Sequence, residues 1–88
     1  MPDSLNAQAA RDLLEKANGR ITPARLAVLS ILLDAQTALS HLEIEQIAEQ
    51  QGLSFDRVTL YRALDWLVEQ QMAHKINGVD RTWRYNAQ

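Results

Sequence analysis

The feature that most restricts the fold is a very short link between two helical segments of the sequence. The first segment, SHLEIEQIAEQQG at residues 40–52, begins with the serine and glutamate of a capping box and ends in a glycine. The second, residues 55–70, carries apolar residues at helical spacing: Leu60, Ala63, Leu64 and Leu67. The link between them is GLS, residues 52–54. Two helices joined by so short a glycine-containing turn predict a helix-turn-helix.

Capping residues mark where these two helices begin. Ser40 with Glu43 is the capping box of the first helix, and Ser54 is the predicted N-cap of the second. Leu53 and Val58 stand at the spacing of a hydrophobic staple, in which two apolar residues on either side of a helix start pack together. We therefore expect the second helix to begin directly after Ser54.

Two further helices are predicted upstream. Apolar residues at i, i+4 spacing indicate a helix from about Ser4 to Ala17, which Asn18 and Gly19 end because they tolerate the left-handed conformation. Another helix starts at Thr22, an N-cap that is followed by a proline. Its apolar residues surround most of its circumference, which is typical of the central helix of a core.

Beyond residue 71 the helical period gives way to alternation. Residues 72–76 predict one strand, Asn77 and Gly78 a turn, and residues 82–85 a second strand. Three or four helices followed by a two-stranded hairpin are the elements of a winged helix-turn-helix. We therefore predict a mainly α fold with a small β-hairpin, formed by a single domain over residues 1–88.

Composition limits the classes of function. The sequence has no cysteine, and its two histidines, His41 and His74, have no partner at a metal-ligand or catalytic spacing. We expect both to be surface histidines, with no metal site and no enzyme activity. The sequence shows neither a secretory signal nor an apolar stretch long enough for a bilayer, so a soluble, cytoplasmic protein is expected.

The charge distribution matters more than the net charge. The net charge of −2 by itself disfavours a nucleic-acid partner. The acidic residues are concentrated, however, because residues 34–50 carry four carboxylates and no lysine or arginine. The rest of the chain is weakly basic, so the net charge does not exclude a DNA-binding surface.

The side of residues 55–70 that faces away from the apolar stripe carries an unusual mixture of side chains. At about 100° per residue, Thr59, Arg62 and Trp66 share that side. Val58 and Tyr61 flank them, and Arg57 lies in the first turn. One hypothesis is DNA contact by the start of this helix. Arginine can bind guanine through two hydrogen bonds, and threonine or tyrosine can contact phosphate or a thymine methyl.

An ordinary helix surface is the competing interpretation of the same residues. In it, Tyr61 packs at the margin of the core, and Arg62 pairs with Asp65 or Glu69, about one and two turns further on. The helix alone leaves both interpretations open.

The hairpin adds positive charge through three residues: Lys75, Arg81 and Arg84. These side chains suit contact with phosphates, although basic residues also protect exposed strands from pairing. We expect Trp83 and Tyr85 to pack on the helices. Trp66 is expected under the hairpin or in a subunit contact.

Three stretches together resemble the N-terminal DNA-binding domain of the ferric uptake regulator family. They are RITPARLAVLSIL at residues 20–32, TLYRALDWLVEQ at residues 59–70 and RY at residues 84–85. Leu60 replaces the valine that is usual in the family, a mild change on the buried side. The order and spacing agree across almost the whole chain, and YRALDWLVEQ followed by HK is most similar to the zinc-responsive branch.

The resemblance implies roles for individual residues. Tyr61 and Arg62 match the tyrosine and arginine that contact bases and backbone in the major groove. Arg20 matches a basic residue that enters the minor groove, and Arg25 matches an arginine placed near the phosphates. The predicted DNA-binding set is Arg20, Arg25, Arg57, Thr59, Tyr61, Arg62 and Arg84.

The resemblance also implies a function, that of a metal-responsive transcriptional repressor. Its partner is expected to be double-stranded DNA, an AT-rich palindromic operator. Zinc or iron is implied only for a full-length family member, through a C-terminal metal-binding and dimerisation domain that we expect this chain to lack. We therefore expect no cofactor in this chain, and a homodimer only together with that domain.

A winged helix that binds another protein instead of DNA is the alternative function. Four arginines distinguish the two hypotheses: Arg20, Arg25, Arg62 and Arg84. DNA binding is favoured if they share one face. Protein binding gains support if they are scattered, or if they are held in ion pairs with Asp65 and Asp80.

Overall fold

Four helices and a small antiparallel sheet make up the described part of the chain. The computed structural model describes residues 5–17 and 20–87. The helices are α1 (Leu5–Lys16), α2 (Pro23–Asp34), α3 (His41–Gln50) and α4 (Arg57–Glu69), and the strands are β1 (Leu39–Ser40), β2 (His74–Asn77) and β3 (Trp83–Asn86). This order confirms the predicted winged helix-turn-helix. The predicted start of the first helix at Ser4, and its predicted end at Asn18 and Gly19, lie outside the described residues.

Helix α2 lies at the centre of the core, as its apolar circumference predicts. It packs against α1, α3 and α4, and its Val28 and Leu29 are fully buried. Each neighbour contributes a fully buried side chain: Leu14 of α1, Ile44 of α3 and Leu64 of α4. Burying one such side chain stabilises the fold by about 1.5–3 kcal/mol. This core therefore fixes the position of α4, which carries most of the candidate functional residues.

Helices α2 and α3 begin at the predicted capping residues. The Thr22 hydroxyl accepts a hydrogen bond from the backbone N–H of Arg25 at 3.1 Å. Ser40 Oγ accepts from the Glu43 N–H at 3.2 Å, and Glu43 Oε1 accepts from the Ser40 N–H at 2.9 Å. These bonds satisfy donors that have no partner inside the helix.

Helix α4 begins two residues later than predicted. Its N-cap is Asp56 instead of Ser54, and Asp56 Oδ1 accepts from the backbone N–H of Thr59 at 2.9 Å. Hydrogen bonding from Thr59 lowers the pKa of Asp56, because it favours the charged carboxylate. A carboxylate at this place also interacts favourably with the positive end of the helix dipole.

The predicted hydrophobic staple between Leu53 and Val58 is wrong. The side chain of Val58 is directed to solvent and is 56% exposed. With Asp56 as the cap, the two staple positions belong to Phe55, which packs against the core, and to the buried Leu60. Because the helix starts later, Phe55 takes the staple position that was predicted for Leu53.

The end of α3 is a turn that requires a left-handed residue. The Leu53 N–H donates to the Ala48 carbonyl at 2.9 Å, and the Gly52 N–H donates to the Glu49 carbonyl at 3.0 Å. This pair of bonds is a Schellman motif, and Gly52 adopts the φ of +77° that the motif needs. Gly52 therefore ends the helix, as its place in the sequence predicts.

Helix α4 ends in the same motif without a glycine. The Met72 N–H donates to the Leu67 carbonyl at 2.9 Å, and the Gln71 N–H donates to the Val68 carbonyl at 3.0 Å. Gln71 occupies the left-handed position at φ +62°. Met72 is consequently part of the helix end, so the predicted strand start at residue 72 is wrong and β2 begins at His74.

The sheet has a third strand that the sequence did not reveal. Its order is β1-β3-β2, and both pairings are antiparallel. Tyr85 on the central strand pairs with Leu39 on one side and Lys75 on the other. Tyr85 is 1% exposed, which confirms its predicted packing, whereas Trp83 is 46% exposed and its predicted packing on the helices is wrong.

The turn of the wing lies further along the chain than predicted. The Arg81 N–H donates to the Gly78 carbonyl at 3.0 Å, and the Gly78 N–H donates to the Thr82 carbonyl at 3.1 Å. Val79 and Asp80 are thus the central residues of the turn, and Arg81 follows in the left-handed conformation at φ +67°. Val79, at the tip, is fully exposed.

Candidate nucleic-acid interface

The N-terminal half of α4 presents the predicted polar residues away from the core. Thr59 and Arg62 are exposed, and Tyr61 is half-buried at the border of the outer side. Within the described part of the chain, Arg62 forms no hydrogen bond or ion pair. The alternative pairing of Arg62 with Asp65 or Glu69 is therefore not formed, and its guanidinium is available to a partner.

Helix α2 brings a second arginine to the same recess as Arg62. Arg25 and Arg62 both line a surface recess between the start of α2 and the start of α4, together with Thr59. The Thr22 cap fixes the first turn of α2, and so it fixes where the Arg25 backbone lies. Two helices from different parts of the sequence thus place two guanidinium groups beside one threonine.

Arg25 also ties the segment before α2 to α4. Its Nη1 donates to the Arg20 carbonyl oxygen at 2.7 Å. Its Cζ lies 3.8 Å from the ring centroid of Trp66, within the range of a cation–π interaction. Trp66 therefore packs against Arg25 of α2, so its predicted place under the wing is wrong, whereas its predicted subunit contact stays a prediction. The side chain of Arg20 is exposed beside this contact.

Tyr61 faces a different recess, between α3, α4 and the wing. Arg57, Tyr61 and Arg84 all line it. The imidazole of His41, the first residue of α3, lies 3.9 Å from the Tyr61 ring, measured between centroids, and 5.0 Å from the Tyr85 ring. The seven predicted residues are thus divided between two sides of α4 and the segment at Arg20.

His41 is not the ordinary surface histidine that its sequence context predicts. Burial lowers the pKa of His41 because it disfavours the charged imidazolium, and Lys75 acts in the same direction. Asp65 and Glu45 oppose this effect with their negative charges. The imidazole is therefore held mainly in its neutral form at pH 7, where it packs as an aromatic ring.

Two of the predicted arginines are engaged in ion pairs. Arg57 Nε lies 3.1 Å from Glu45 Oε2, which connects α4 to α3, although the Arg57 side chain remains 67% exposed. Arg84 forms two hydrogen bonds with the Asp80 carboxylate, each 3.0 Å long. These bonds lower the pKa of Asp80 to about 2. Of the arginines that distinguish the two hypotheses, Arg62 is unpaired and Arg84 is paired.

The sequence pattern of the ferric uptake regulator family matches residues 16–88. This match covers the helix-turn-helix and the wing. The chain belongs to the ferric uptake regulator family. The family assignment made from the three short motifs is thereby confirmed.

Among the relatives of this chain are proteins that regulate metal uptake. The zinc uptake regulation protein of Escherichia coli (strain K12) is 33% identical over 76 residues, which are 86% of this chain and 44% of the relative. That of Shigella flexneri matches equally well, so the chain spans less than half the length of these relatives. These relatives are regulators and not enzymes, as predicted for this chain.

Solved structures of the ferric uptake regulator family share the fold. The ferric uptake regulator of Pseudomonas aeruginosa, solved with manganese, has a TM-score of 0.80 at 19% identity, covering 89% of this chain and 59% of that one. PerR of Streptococcus pyogenes has a TM-score of 0.77 at 20% identity, covering 93% of this chain and 56% of that one. At these identities the likeness shows the winged-helix fold.

Two properties of this ferric uptake regulator family domain follow from the described residues. They contain no group of three histidine, cysteine, aspartate or glutamate side chains that could hold a metal ion. No helix among residues 5–17 and 20–87 is long and apolar enough to cross a membrane. The contacts of His41 and Trp66 are the features of this candidate interface that the sequence missed, because no spacing along the chain relates these residues to Tyr61, Tyr85 or Arg25.

Proposed function

We propose that this chain binds double-stranded DNA as the winged-helix domain of a metal-responsive transcriptional repressor. The N-terminal half of α4 enters the major groove. The observation that carries this proposal is the unpaired guanidinium of Arg62 on the outer side of α4, in the same recess as Thr59 and Arg25. Family membership and the identity with zinc uptake regulation proteins support it, and they favour the zinc-responsive branch.

The charges along α4 support entry by its first half only. Arg57 and Arg62 lie in that half, whereas the exposed Asp65 and Glu69 follow in the second half. Phosphates attract the first pair and repel the second. The helix is therefore expected to approach the duplex with its N-terminal end, the geometry of a recognition helix.

Each predicted residue has a proposed contact. Arg62 suits two hydrogen bonds to a guanine edge, and Tyr61 suits a contact to a base or the backbone. The exposed Arg20 is proposed to enter the minor groove, and the N–H groups of Arg25 that do not bond Arg20 are proposed to bind a phosphate. Arg57 and Thr59 are proposed to contact the backbone near the helix start.

Arg84 is the weakest member of the proposed set. A phosphate that binds Arg84 must compete with the Asp80 carboxylate, which accepts two hydrogen bonds from the Arg84 guanidinium. We therefore propose that Arg84 contributes less than Arg62, and that its main task is to hold the turn of the wing.

Metal and subunit contacts are proposed for parts of the protein outside these residues. The described residues hold no candidate metal cluster, and the chain covers 44% of the zinc uptake regulation protein of Escherichia coli. We propose that zinc or iron, and the homodimer that would match a palindromic AT-rich operator, depend on such a part. A regulator of this kind is expected in the cytoplasm.

Binding of another protein is the second candidate function. The observations that favour it are the net charge of −2 and the ion pairs of Arg57 and Arg84. It predicts no preference among duplexes, and weak binding to all of them, because few phosphates would be neutralised.

Fluorescence anisotropy with an AT-rich palindromic duplex and a random duplex, over a range of salt concentrations, tests the proposal. Arg62→Ala should weaken binding to the palindrome by about 1–3 kcal/mol and to the random duplex much less. Arg11→Ala is the matched control, because Arg11 is exposed on α1 and carries the same charge. If Arg62→Ala folds normally and binds both duplexes as the parent does, the major-groove assignment is wrong.

A further inference from the structure

His41 contacts the candidate DNA-binding residue Tyr61 and the buried anchor Tyr85 at the same time. The three rings come from α3, α4 and β3, so the cluster joins the first helix of the helix-turn-helix, the second helix and the wing. The His41 and Tyr61 rings are 3.9 Å apart at an interplanar angle of 36°, and the His41 and Tyr85 rings are 5.0 Å apart at 54°.

The position of His41 is itself fixed from two sides. Ser40, the preceding residue, pairs with Arg84 in the sheet and caps α3 through the reciprocal bonds with Glu43. Tyr85 is 1% exposed, so the ring behind His41 cannot move without disturbing the core. A histidine placed in this way is a rigid surface for a neighbouring side chain.

Tyr61, in contrast, is only partly held by its packing against the core. It is half-buried at the border of the outer side of α4, and its hydroxyl forms no hydrogen bond within the described part of the chain. The torsions that direct such a side chain are set by the groups that its ring contacts. The imidazole of His41 is the nearest of the ring contacts on this side of α4.

We propose that His41 is a positioning residue that holds the Tyr61 ring in the direction needed for DNA contact. The inference rests on the proposed function, because it requires that Tyr61 contacts DNA. The imidazole acts here as an uncharged aromatic surface. Its charged neighbours are Asp65 on α4, Glu45 on α3 and Lys75 on β2, and Glu45 is already engaged by Arg57.

Four variants of the chain test this role: His41→Ala, His41→Phe, Tyr61→Ala and the double variant His41→Ala/Tyr61→Ala. Each is titrated against the palindromic and the random duplex by fluorescence anisotropy. An aromatic pair contributes about 0.5–1.5 kcal/mol, which is a factor of about two to twelve in affinity. We expect His41→Ala to lose about that factor on the palindrome and almost nothing on the random duplex.

The variant His41→Phe tests whether the aromatic ring of His41 is sufficient to position Tyr61, without the other chemistry of histidine. His41→Phe keeps an aromatic ring beside Tyr61 and is expected to bind the palindrome within about twofold of the parent. In the Tyr61→Ala background, His41→Ala is expected to have no further effect, because the ring to be positioned is absent. A His41→Phe variant as weak as His41→Ala, or a His41→Ala effect that persists without Tyr61, would overturn the proposal.

Failure of this inference differs from failure of the proposed function. If Tyr61→Ala binds the palindrome as the parent does, both the DNA role of Tyr61 and its positioning by His41 are wrong. If Tyr61→Ala weakens binding and His41→Ala does not, only the positioning role is wrong.

Should His41→Ala be unfolded at the assay temperature, proton NMR of the folded parent gives an independent result. The ring currents of Tyr61 and Tyr85 should shift the carbon-bound imidazole protons of His41 away from their values in an unfolded chain. Tyr61→Leu should move those protons part of the way back. Imidazole protons that do not respond to Tyr61→Leu would contradict the ring contact on which the proposal depends.

Discussion

The contact between Arg25 and Trp66 gives a sharp quantitative test of the structure. In Arg25→Ala, the fold loses a cation–π interaction at 3.8 Å and a hydrogen bond to the Arg20 carbonyl at 2.7 Å. At a half-buried site the first contributes about 1 kcal/mol, and the second also contributes about 1 kcal/mol net of solvation. The expected loss in the free energy of unfolding is therefore about 2 kcal/mol.

A loss of this size is easily measured in a domain of 88 residues. Each kcal/mol lowers the melting temperature of so small a domain by about 4–8 °C, so Arg25→Ala should melt about 10 °C below the parent. Urea unfolding followed by circular dichroism is the appropriate assay for the free energy of unfolding. Tryptophan fluorescence is unsuitable, because the comparison also requires a variant in which Trp66 itself is replaced. Arg11→Ala, which removes an exposed arginine from α1, should change the stability by less than about 0.5 kcal/mol.

A double-mutant cycle isolates the cation–π interaction from the hydrogen bond. Trp66→Leu removes the ring, whereas the bond from Arg25 to the Arg20 carbonyl does not involve Trp66. Arg25→Ala and Trp66→Leu should therefore be coupled by about 1 kcal/mol, while Arg11→Ala and Trp66→Leu should be additive. If the effects of Arg25→Ala and Trp66→Leu add to within about 0.3 kcal/mol, the guanidinium does not rest on the ring and the reasoning is refuted.

Three further substitutions test other parts of the structure. Gln71→Gly should stabilise the fold by about 0.5 kcal/mol in urea unfolding. A residue with a side chain loses about 1–2 kcal/mol in the left-handed conformation, and the greater flexibility of glycine in the unfolded chain offsets part of the gain. No gain in stability would contradict the positive φ at Gln71. Because the pKa of His41 is lowered in the folded chain, the unfolded chain takes up a proton at a higher pH than the folded chain does, and the stability of the parent should decline as the pH falls through 6.5. The decline should be smaller in His41→Phe, and equal slopes of stability against pH would contradict the burial of the imidazole. Arg84→Ala should raise the pKa of Asp80 from about 2 part of the way towards 3.8 in an NMR titration, because the charged carboxylate loses the two Arg84 donors and keeps the Thr82 N–H. An unchanged midpoint would mean that the Arg84 pair is absent in solution.

Local signals in the sequence predicted the helices well, because they act over a few residues. The Thr22 cap, the Ser40 capping box and the left-handed Gly52 all lie where their chemistry requires. The start of α4 was misplaced because serine and aspartate are both good N-caps and the two stand two residues apart. Tertiary packing decides between Ser54 and Asp56, since the later start places Phe55 against the core.

Contacts between distant segments could not be predicted in this way. Strand β1 has only two residues, too few for an alternating pattern, and it exists because β3 offers it a pairing edge. The face of α4 correctly placed Thr59 and Arg62 on the outside. The sequence of α4 alone could not predict that His41 contacts Tyr61 or that Arg25 lies over Trp66, because His41 belongs to α3 and Arg25 to α2.

The strand order has a mechanical consequence for the proposed complex. Strand β1 passes into α3 without an intervening residue, and β3 is hydrogen-bonded to it. The wing is thereby fastened to the helix-turn-helix by backbone hydrogen bonds, which restrict how far their spacing can adapt to a duplex. In such a complex the duplex is the softer partner, so base pairs that the protein never touches would contribute through their stiffness to the choice of operator.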